Sequence, residues 1–497
     1  MPRSADYARV ELVAGEEPEP SPLPDSDTPF RILLMGDFSG RAGQGLEDAS
    51  LQGRRPIFVD RDNFEQVMEK LGVSLPCLTF AELDDFHPDR LYRQLPVFSG
   101  LRRLRERLED RATFAAAAAE MRAWSTPEKP QPEKPAPAPD LARLAPDQLF
   151  SRMLDEAAPS DAPVPQAPDP FDLLLRDIVT PHLEPKADPR QPELLAQVDD
   201  TVSEQMRAIL HHPDFQAVEA AWRALFFLVR RMETDTGLKL YILDVSKDEL
   251  APLSGAGSLA ETPLYGIVVE QSVGTPGAEP WAVLAGNYTF GNSAEDVLLV
   301  RALGRVARAA GAPFMAAAGP RVLGCAGFGG ELEPRSWKPD PQADAAWQAL
   351  RRSAEAEWVG LALPRFLLRL PYGSDTDSTE AFDFEEMPGK PVHEDYLWGN
   401  PVFACLEVMS RGFSHSAWEF RPDAFPDIEG LPAHIYKEKG ESVLKPCAEA
   451  LLTERAIEAI TDKGLMAWLS MKGGDRIRLL RFQSIADPAT ALPGRWR

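Results

Sequence analysis

Twelve of the chain's 47 prolines fall between Thr126 and Pro170. Proline gives no N–H to a helix ladder or a central strand and holds φ near −65°, so this stretch can form neither. It reads as a semi-rigid, solvated linker between two folded parts. The expected division of the 497 residues is an acidic disordered tail over 1–29, a folded region over 30–124, a proline-rich linker over 125–170 and a second folded region over 171–497. The tail carries seven acids against two bases and few large apolar groups, too little to drive a core.

Charge narrows the partners. With 53 basic and 77 acidic side chains the formal charge is −24, which argues against bare nucleic acid and anionic lipid, since both ask for a cationic footprint. Cys77, Cys325, Cys405 and Cys447 lie far apart without a CxxC, the pattern of buried thiols in a reducing compartment. No apolar leader follows Met1, and the most apolar stretch, 297–319, is broken by Arg301, Arg305 and Arg308. These features predict a soluble cytoplasmic protein with no direct membrane insertion.

Inside the linker, Leu149, Phe150, Met153 and Leu154 follow Pro146 and Asp147 at helical spacing, so a short amphipathic helix is expected, either packed on its own domain or docked on a partner. In the first region, Phe30 to Gly36 is an apolar run ending in glycine turns and reads as a buried strand. The glycines at 36–45 fit neither GxxxxGK[ST] nor GxGxxG, so a turn is expected there and not a phosphate loop. Phe64, Val67, Met68 and Leu71 mark a helix capped by Asp60 or Asp62 and closed by Gly72, with a second strand near Leu78–Phe80. Glu82, Asp84, Asp85 and Asp89 around His87 offer either a metal or acid–base cluster or loop and cap chemistry, and no second ligand set supports the former.

In the second region, Phe215, Val218, Trp222, Leu225 and Val229 form one wide apolar helical face, on which Phe215 and Trp222 are anchors for a core or a subunit contact. His211 and His212 precede Pro213 as a cap, since adjacent residues point apart and make a poor metal pair. Leu238–Val245 reads as a strand, as do Tyr265–Glu270 and Trp281–Ala285. Arg365 and Arg369 stand among apolar residues and need partners, with Glu355, Glu357, Glu385 and Glu386 as candidates; a clamp for a substrate carboxylate is the alternative. No GxSxG, Walker, zinc or kinase signature is present, so no catalytic residue, cofactor or metal is expected.

The blocks "DFSGR", "VDRDNFEQVMEKL", "FAELDDFHPDRLYRQLPVF" and "LRRLRERLED" resemble the small sheath subunit of type VI secretion systems, TssB or VipA. The blocks "ILHHPDFQAVEAAWRALFFLVRRM", "KLYILDVSKDEL", "GTPGAEPWAVLAGNYTF", "GAPFMAAA", "LPRFLLRLPYG", "FEE" and "YLWGNP", the last containing Trp398, resemble the large subunit, TssC or VipB. The resemblance implies a non-catalytic component of a contractile sheath, with two sheath-type α/β regions fused through the proline-rich linker. It implies as partners other sheath subunits, an Hcp-like inner tube, a baseplate and a ClpV-type AAA+ ATPase that grips a helix, here 146–157 or 171–179. Leu451 to Ile485 resembles the end of the large subunit's N-terminal domain, and the family's C-terminal strand-exchange domain is not seen after it. A sheath-derived accessory, cap or baseplate protein that does not polymerise is therefore the alternative, and a ligand-binding enzyme using Arg365 and Arg369 a more distant one. The interface candidates are Leu149, Phe150, Met153, Leu154, Phe215, Trp222, Arg365, Arg369 and Trp398. The expected fold class is mixed α+β, with two or three helix-covered sheets in preference to one doubly wound sheet.

Overall fold

The computed structural model describes residues 24–25, 27–45, 51, 53–125, 188–329 and 332–496. Residues 1–23 and 126–187, which include Leu149, Phe150, Met153 and Leu154, lie outside the described residues.

Strand β1 (Phe30–Gly36) has Phe30, Ile32 and Leu34 buried toward one core and Leu33 and Met35 toward another. A strand buried on both faces also needs a neighbour on each side to occupy its backbone groups. Both neighbours come from the far half of the chain. β5 (Leu238–Asp244) runs parallel to β1 from Phe30↔Leu238 to Gly36↔Asp244, and β6 (Val283–Phe290) is parallel on the other side from Ile32↔Val283. The first region thus places its longest strand within the sheet of the second. β2 (Ile57–Val59) adds a second one, antiparallel to β5 at the edge.

The sheet continues beyond β6 through β7 (Phe314–Ala318) and β8 (Val359–Leu363), both fully buried runs, to β14 (Met466–Ser470), all parallel. β15 (Ile477–Leu479) and β11 (Asp427–Ile428) close that side antiparallel. Among the described residues, nine strands lie in the order β11-β15-β14-β8-β7-β6-β1-β5-β2. Three small ladders stand apart: β3 (Ser74–Leu75) with β4 (Leu78–Thr79), β9 (Phe366–Leu367) with β10 (Trp398–Gly399), and β12 (Ile435–Glu438) with β13 (Glu441–Leu444). The class is mixed α+β. In place of the expected two or three helix-covered sheets, one nine-stranded mixed sheet dominates the described residues, because the apolar runs at β7 and β8 are buried on both faces and pair side by side.

Helices cover both faces. Phe64–Leu71, Gln191–Leu210, Pro213–Arg231 and Pro401–Ser416 contribute to the core under Phe30, Ile32 and Leu34. Ala294–Ala310 and Pro341–Arg351 cover the opposite face. The helix at 64–71 starts after Asn63 and ends at left-handed Gly72; Asp60 accepts from the Asp62 and Asn63 N–H groups and builds the preceding turn without capping the helix. Tyr265–Glu270 is helical and not a strand. Pro263 opens the turn, Thr262 Oγ1 accepts from the Tyr265 N–H, and Ile267, Val268 and Val269 bury against the second core.

The turn after β1 is anion-lined by the chain itself. Asp37 accepts from the N–H groups of Gly40, Arg41 and Ala42, and Asp244 from those of Phe38 and Ser39. These carboxylates use the donors that a phosphate would need. Gly40 sits at φ 80°, and a Cβ there would lie 2.5 Å from the Ser74 carbonyl oxygen, so only glycine fits.

Trp222 joins the two regions: its Nε1 donates to the Phe38 carbonyl at 2.7 Å, and its ring meets Phe38 and Phe64 edge-on at 5.9 and 5.4 Å. Trp222→Phe is expected to lower unfolding free energy by about 1–3 kcal/mol, because it takes away the donor of the buried Phe38 carbonyl. Trp222→Ala should lower it by about 3–5 kcal/mol, the cost of a large aromatic cavity. Both are read as shifts of the urea midpoint of the full chain.

Candidate functional site

The seam between the two regions is the place where this fold does something a single domain need not. Helix Pro213–Arg231 lies along it. Phe215 packs on Phe80 and Phe86 from the first region, at 6.0 and 5.7 Å, and Trp222 on Phe38 and Phe64. Arg105 and Asp199 form an ion pair across it at 2.8 Å, and Arg54 with Arg41 encloses the buried Glu249. Asp89 accepts from the N–H groups of Glu380 and Ala381 at 2.9 and 3.0 Å.

That last contact settles the acidic run around His87. Glu82 and Asp85 form a capping box, His87 Nδ1 accepts from the Asp89 N–H, and Asp89 reaches across to the second region. Cap chemistry accounts for it, and among the described residues no group of three or more His, Cys, Asp or Glu is gathered to hold a metal. His212 likewise caps the next helix, accepting from the Asp214 N–H.

Beneath helix 213–231 lies a buried ionic cluster. The Arg369 guanidinium meets Glu219 at 2.8 Å and Glu386 at 2.7 Å, and stacks over the Tyr372 ring at 4.3 Å. Arg223 holds Glu219 at 2.7 Å and donates to the Tyr372 hydroxyl at 2.8 Å. The Tyr372 N–H donates to Glu386, and His211 Nε2 approaches the same carboxylate at 3.4 Å. Burial pushes the Glu386 carboxyl up, but the Arg369 charge, the nearby His211 ring and hydrogen bonds from Arg369 and the Tyr372 N–H overcome it and hold the group at about 2. Burial raises Tyr372 to about 12 despite Arg223 and Arg369, so its hydroxyl stays protonated.

Arg365 has its own partners: Glu449 at 2.5 Å and Glu394 at 3.6 Å. Glu449 also receives His393 at 3.3 Å; burial opposes its charge, and the His393 and Arg365 contacts bring it down to about 2. Arg365, Glu394 and Glu449 line a cleft of about 260 Å³ at the carboxyl ends of β6, β7 and β8. Arg365 therefore meets carboxylates of its own chain, which is not the arrangement of a clamp awaiting a substrate carboxylate. Of Glu355, Glu357, Glu385 and Glu386, only Glu386 meets either arginine. Glu355 pairs with Arg301, and Glu385 accepts from Ser374. Glu219 and Glu449 are not among the expected partners; a glutamate between Val218 and Trp222 on an apolar helical face is the local signal for the first, and no local pattern marks the second.

Trp398 sits within the chain, 6% exposed, with its Nε1 donating to the His393 carbonyl and its ring beside Tyr396. Phe215, Trp222, Arg369 and Trp398 are thus all inside this fold, and Arg365 lies at the rim of the cleft. Leu149, Phe150, Met153 and Leu154 lie outside the described residues.

Arg369→Met would leave Glu219 and Glu386 buried without their shared cation and is expected to cost about 3–5 kcal/mol, with the Arg369→Met/Glu386→Gln double variant losing less. Glu386 and Glu449 both titrate in the fold near 2, below the ordinary 4.5, so their stabilisation is complete above about pH 4.5 and drains away as pH falls toward 2. Denaturant midpoints measured between pH 6 and 3 should fall, and fall less in Glu386→Gln.

Comparison with known proteins adds the lineage. Residues 192–486 match the family model of VipB, described as EvpB/VC_A0108, tail sheath N-terminal domain. Residues 22–77 match that of type VI secretion system VipA, VC_A0107 or Hcp2. A relative named type VI secretion system sheath protein TssC1, from Pseudomonas aeruginosa, is 33% identical over 307 residues, covering 60% of this chain and 61% of that protein. The chain therefore spans about three fifths of that relative's length. With more than half of its residues inside the VipB model, this chain belongs to the type VI secretion tail sheath family.

Proposed function

We propose that the chain is a single-chain protomer of a contractile type VI secretion sheath, carrying small- and large-subunit elements on one polypeptide and stacking around an Hcp-type tube. One observation carries this reading: β1, from the stretch that resembles VipA, is hydrogen-bonded on both sides by strands of the stretch that resembles VipB. Two parts that share a sheet so intimately act as one rigid unit, and covalent linkage makes their pairing intramolecular.

The reading asks no chemistry of the protomer. A stacked sheath stores its energy in heterologous, non-closing contacts between subunits and releases it when those contacts rearrange. The buried arginine–glutamate cluster suits this role, since it fixes helix 213–231, which carries the seam contacts of Phe215 and Trp222, to the loop at Glu386. The further partners in this reading are other sheath subunits, a baseplate and a ClpV-type ATPase, and the setting is the cytoplasm. No helix among the described residues is long and apolar enough to cross a membrane.

Electron microscopy of the purified full-length protein, alone and with a tube protein of the same system, tests the proposal. Tubular or helical polymers are expected. Uniform single particles at every concentration and salt would overturn it and favour a sheath-derived accessory that caps or binds sheath built from other chains.

A further inference from the structure

Helix Ala294–Ala310 buries one side against the second core and leaves Ala294, Leu298, Arg301, Arg305 and Arg308 exposed along the other. At 3.6 residues per turn these five fall within about 80° of one another, so they form a single stripe. Glu355 reaches Arg301 at 3.7 Å. Arg305 and Arg308 form no ion pair with the described residues. Glu295 sits in the first turn, at the opposite end of the helix, and Glu357, on the turn 356–358 that packs beside it, pairs with neither. Arg495 donates to the Ala310 carbonyl at 3.1 Å and carries the cationic row past the helix end.

Helix Gln191–Leu210 lies on the other side of the sheet and carries the opposite charge. Glu193, Asp200 and Glu204 are exposed, fall within about 40° of one another, and form no ion pair with the described residues. The cations beside them are already engaged: Arg190 with Asp188 at 2.7 Å, and Arg105 with Asp199 and Glu109 at 2.8 and 2.6 Å. The stripes also match in length, since residues 298 to 308 span about 15 Å and residues 193 to 204 about 16 Å. On a chain with 77 acids and 53 bases the arginine row is the scarcer feature. The two stripes cannot meet within one molecule, because the sheet and both cores stand between them. Nor can either face its own copy across a two-fold axis, where like charges would oppose. A head-to-tail contact between copies satisfies both, and such a heterologous contact repeats along a stack.

We propose that helix 294–310 of one copy docks on helix 191–210 of the next, with Arg305 and Arg308 facing Asp200 and Glu204 and with Leu298 and Ala294 as the apolar part of the contact. The inference rests on the sheath reading in taking the neighbour to be a second copy of this chain, and it names the two faces through which copies meet. Charge pairs at an exposed contact set register and encounter rate more than affinity, and salt screens them. The joint is therefore directional and salt-sensitive.

The test uses three full-length proteins, the native chain, D200K/E204K and R305E/R308E, and an equimolar mixture of the two variants. The critical concentration for assembly is read by light scattering and pelleting. Either variant alone presents two faces of one sign and is expected to raise it by at least about tenfold. The mixture sets two basic faces against two acidic ones and should bring it back to the native value. All four positions are exposed, so circular dichroism and melting temperature should match the native chain, and co-assembly is itself a folding control. Variants that assemble as the native chain does, or a loss that the mixture does not regain, would overturn the pairing of these two faces while the sheath reading stands. A native chain that assembles at no concentration or salt would overturn both.

Discussion

A strand held by hydrogen bonds on both sides is the constraint on which this structure rests. β1 has β5 on one edge and β6 on the other, so neither the first region nor the second has a finished sheet without it. Removing it would expose two rows of backbone donors and acceptors and open both cores, since Phe30, Ile32 and Leu34 serve one and Leu33 and Met35 the other. The side chains follow this arrangement. Phe30 enters a cage of Phe413, Trp418 and Phe420, and the Trp418 Nε1 reaches back to the Thr28 carbonyl just before the strand begins.

Ionic pairs complete what the strand begins. Arg369 between Glu219 and Glu386 is an expensive group to bury, and its net contribution to stability is small compared with the cost of breaking it. Its physical effect is geometric. Glu219 belongs to helix 213–231 and Glu386 to the loop that also receives Asp89, so one guanidinium fixes the helix, the loop and, through Asp89, the first region. A hydrophobic substitute could fill the volume but could not demand that alignment.

How much of this could be read from the residues depends on range. The β1 run, the capping of 213–231 by His212 and the burial of Phe215 and Trp222 follow from local pattern, because periodicity and capping act over a few residues. The proline-rich composition of 126–170 says nothing of which strands pair, and β1 before it and β5 and β6 after it enter one sheet. Parallel neighbours share no turn, so nothing near Phe30 announces Leu238. The same limit governs the arginines. That Arg365 and Arg369 require acids is chemistry; that the acids are Glu449 and Glu219 is topology. Tyr265–Glu270 misled for a different reason: its valines and isoleucine suit a strand, but Pro263 and the Thr262 hydroxyl impose a helical start, and tertiary burial accepts either.

The central place of β1 also sets an order in time. The ribosome finishes β1 at Gly36 long before it begins β5 at Leu238 or β6 at Val283. Contacts so distant along the chain form slowly, because loop closure must come before they yield any stabilisation. The early strand therefore waits, apolar on both faces and unpaired on both edges, until most of the protein has been made. A chain that carries both halves ends that wait in cis, at a rate independent of how many copies the cell contains.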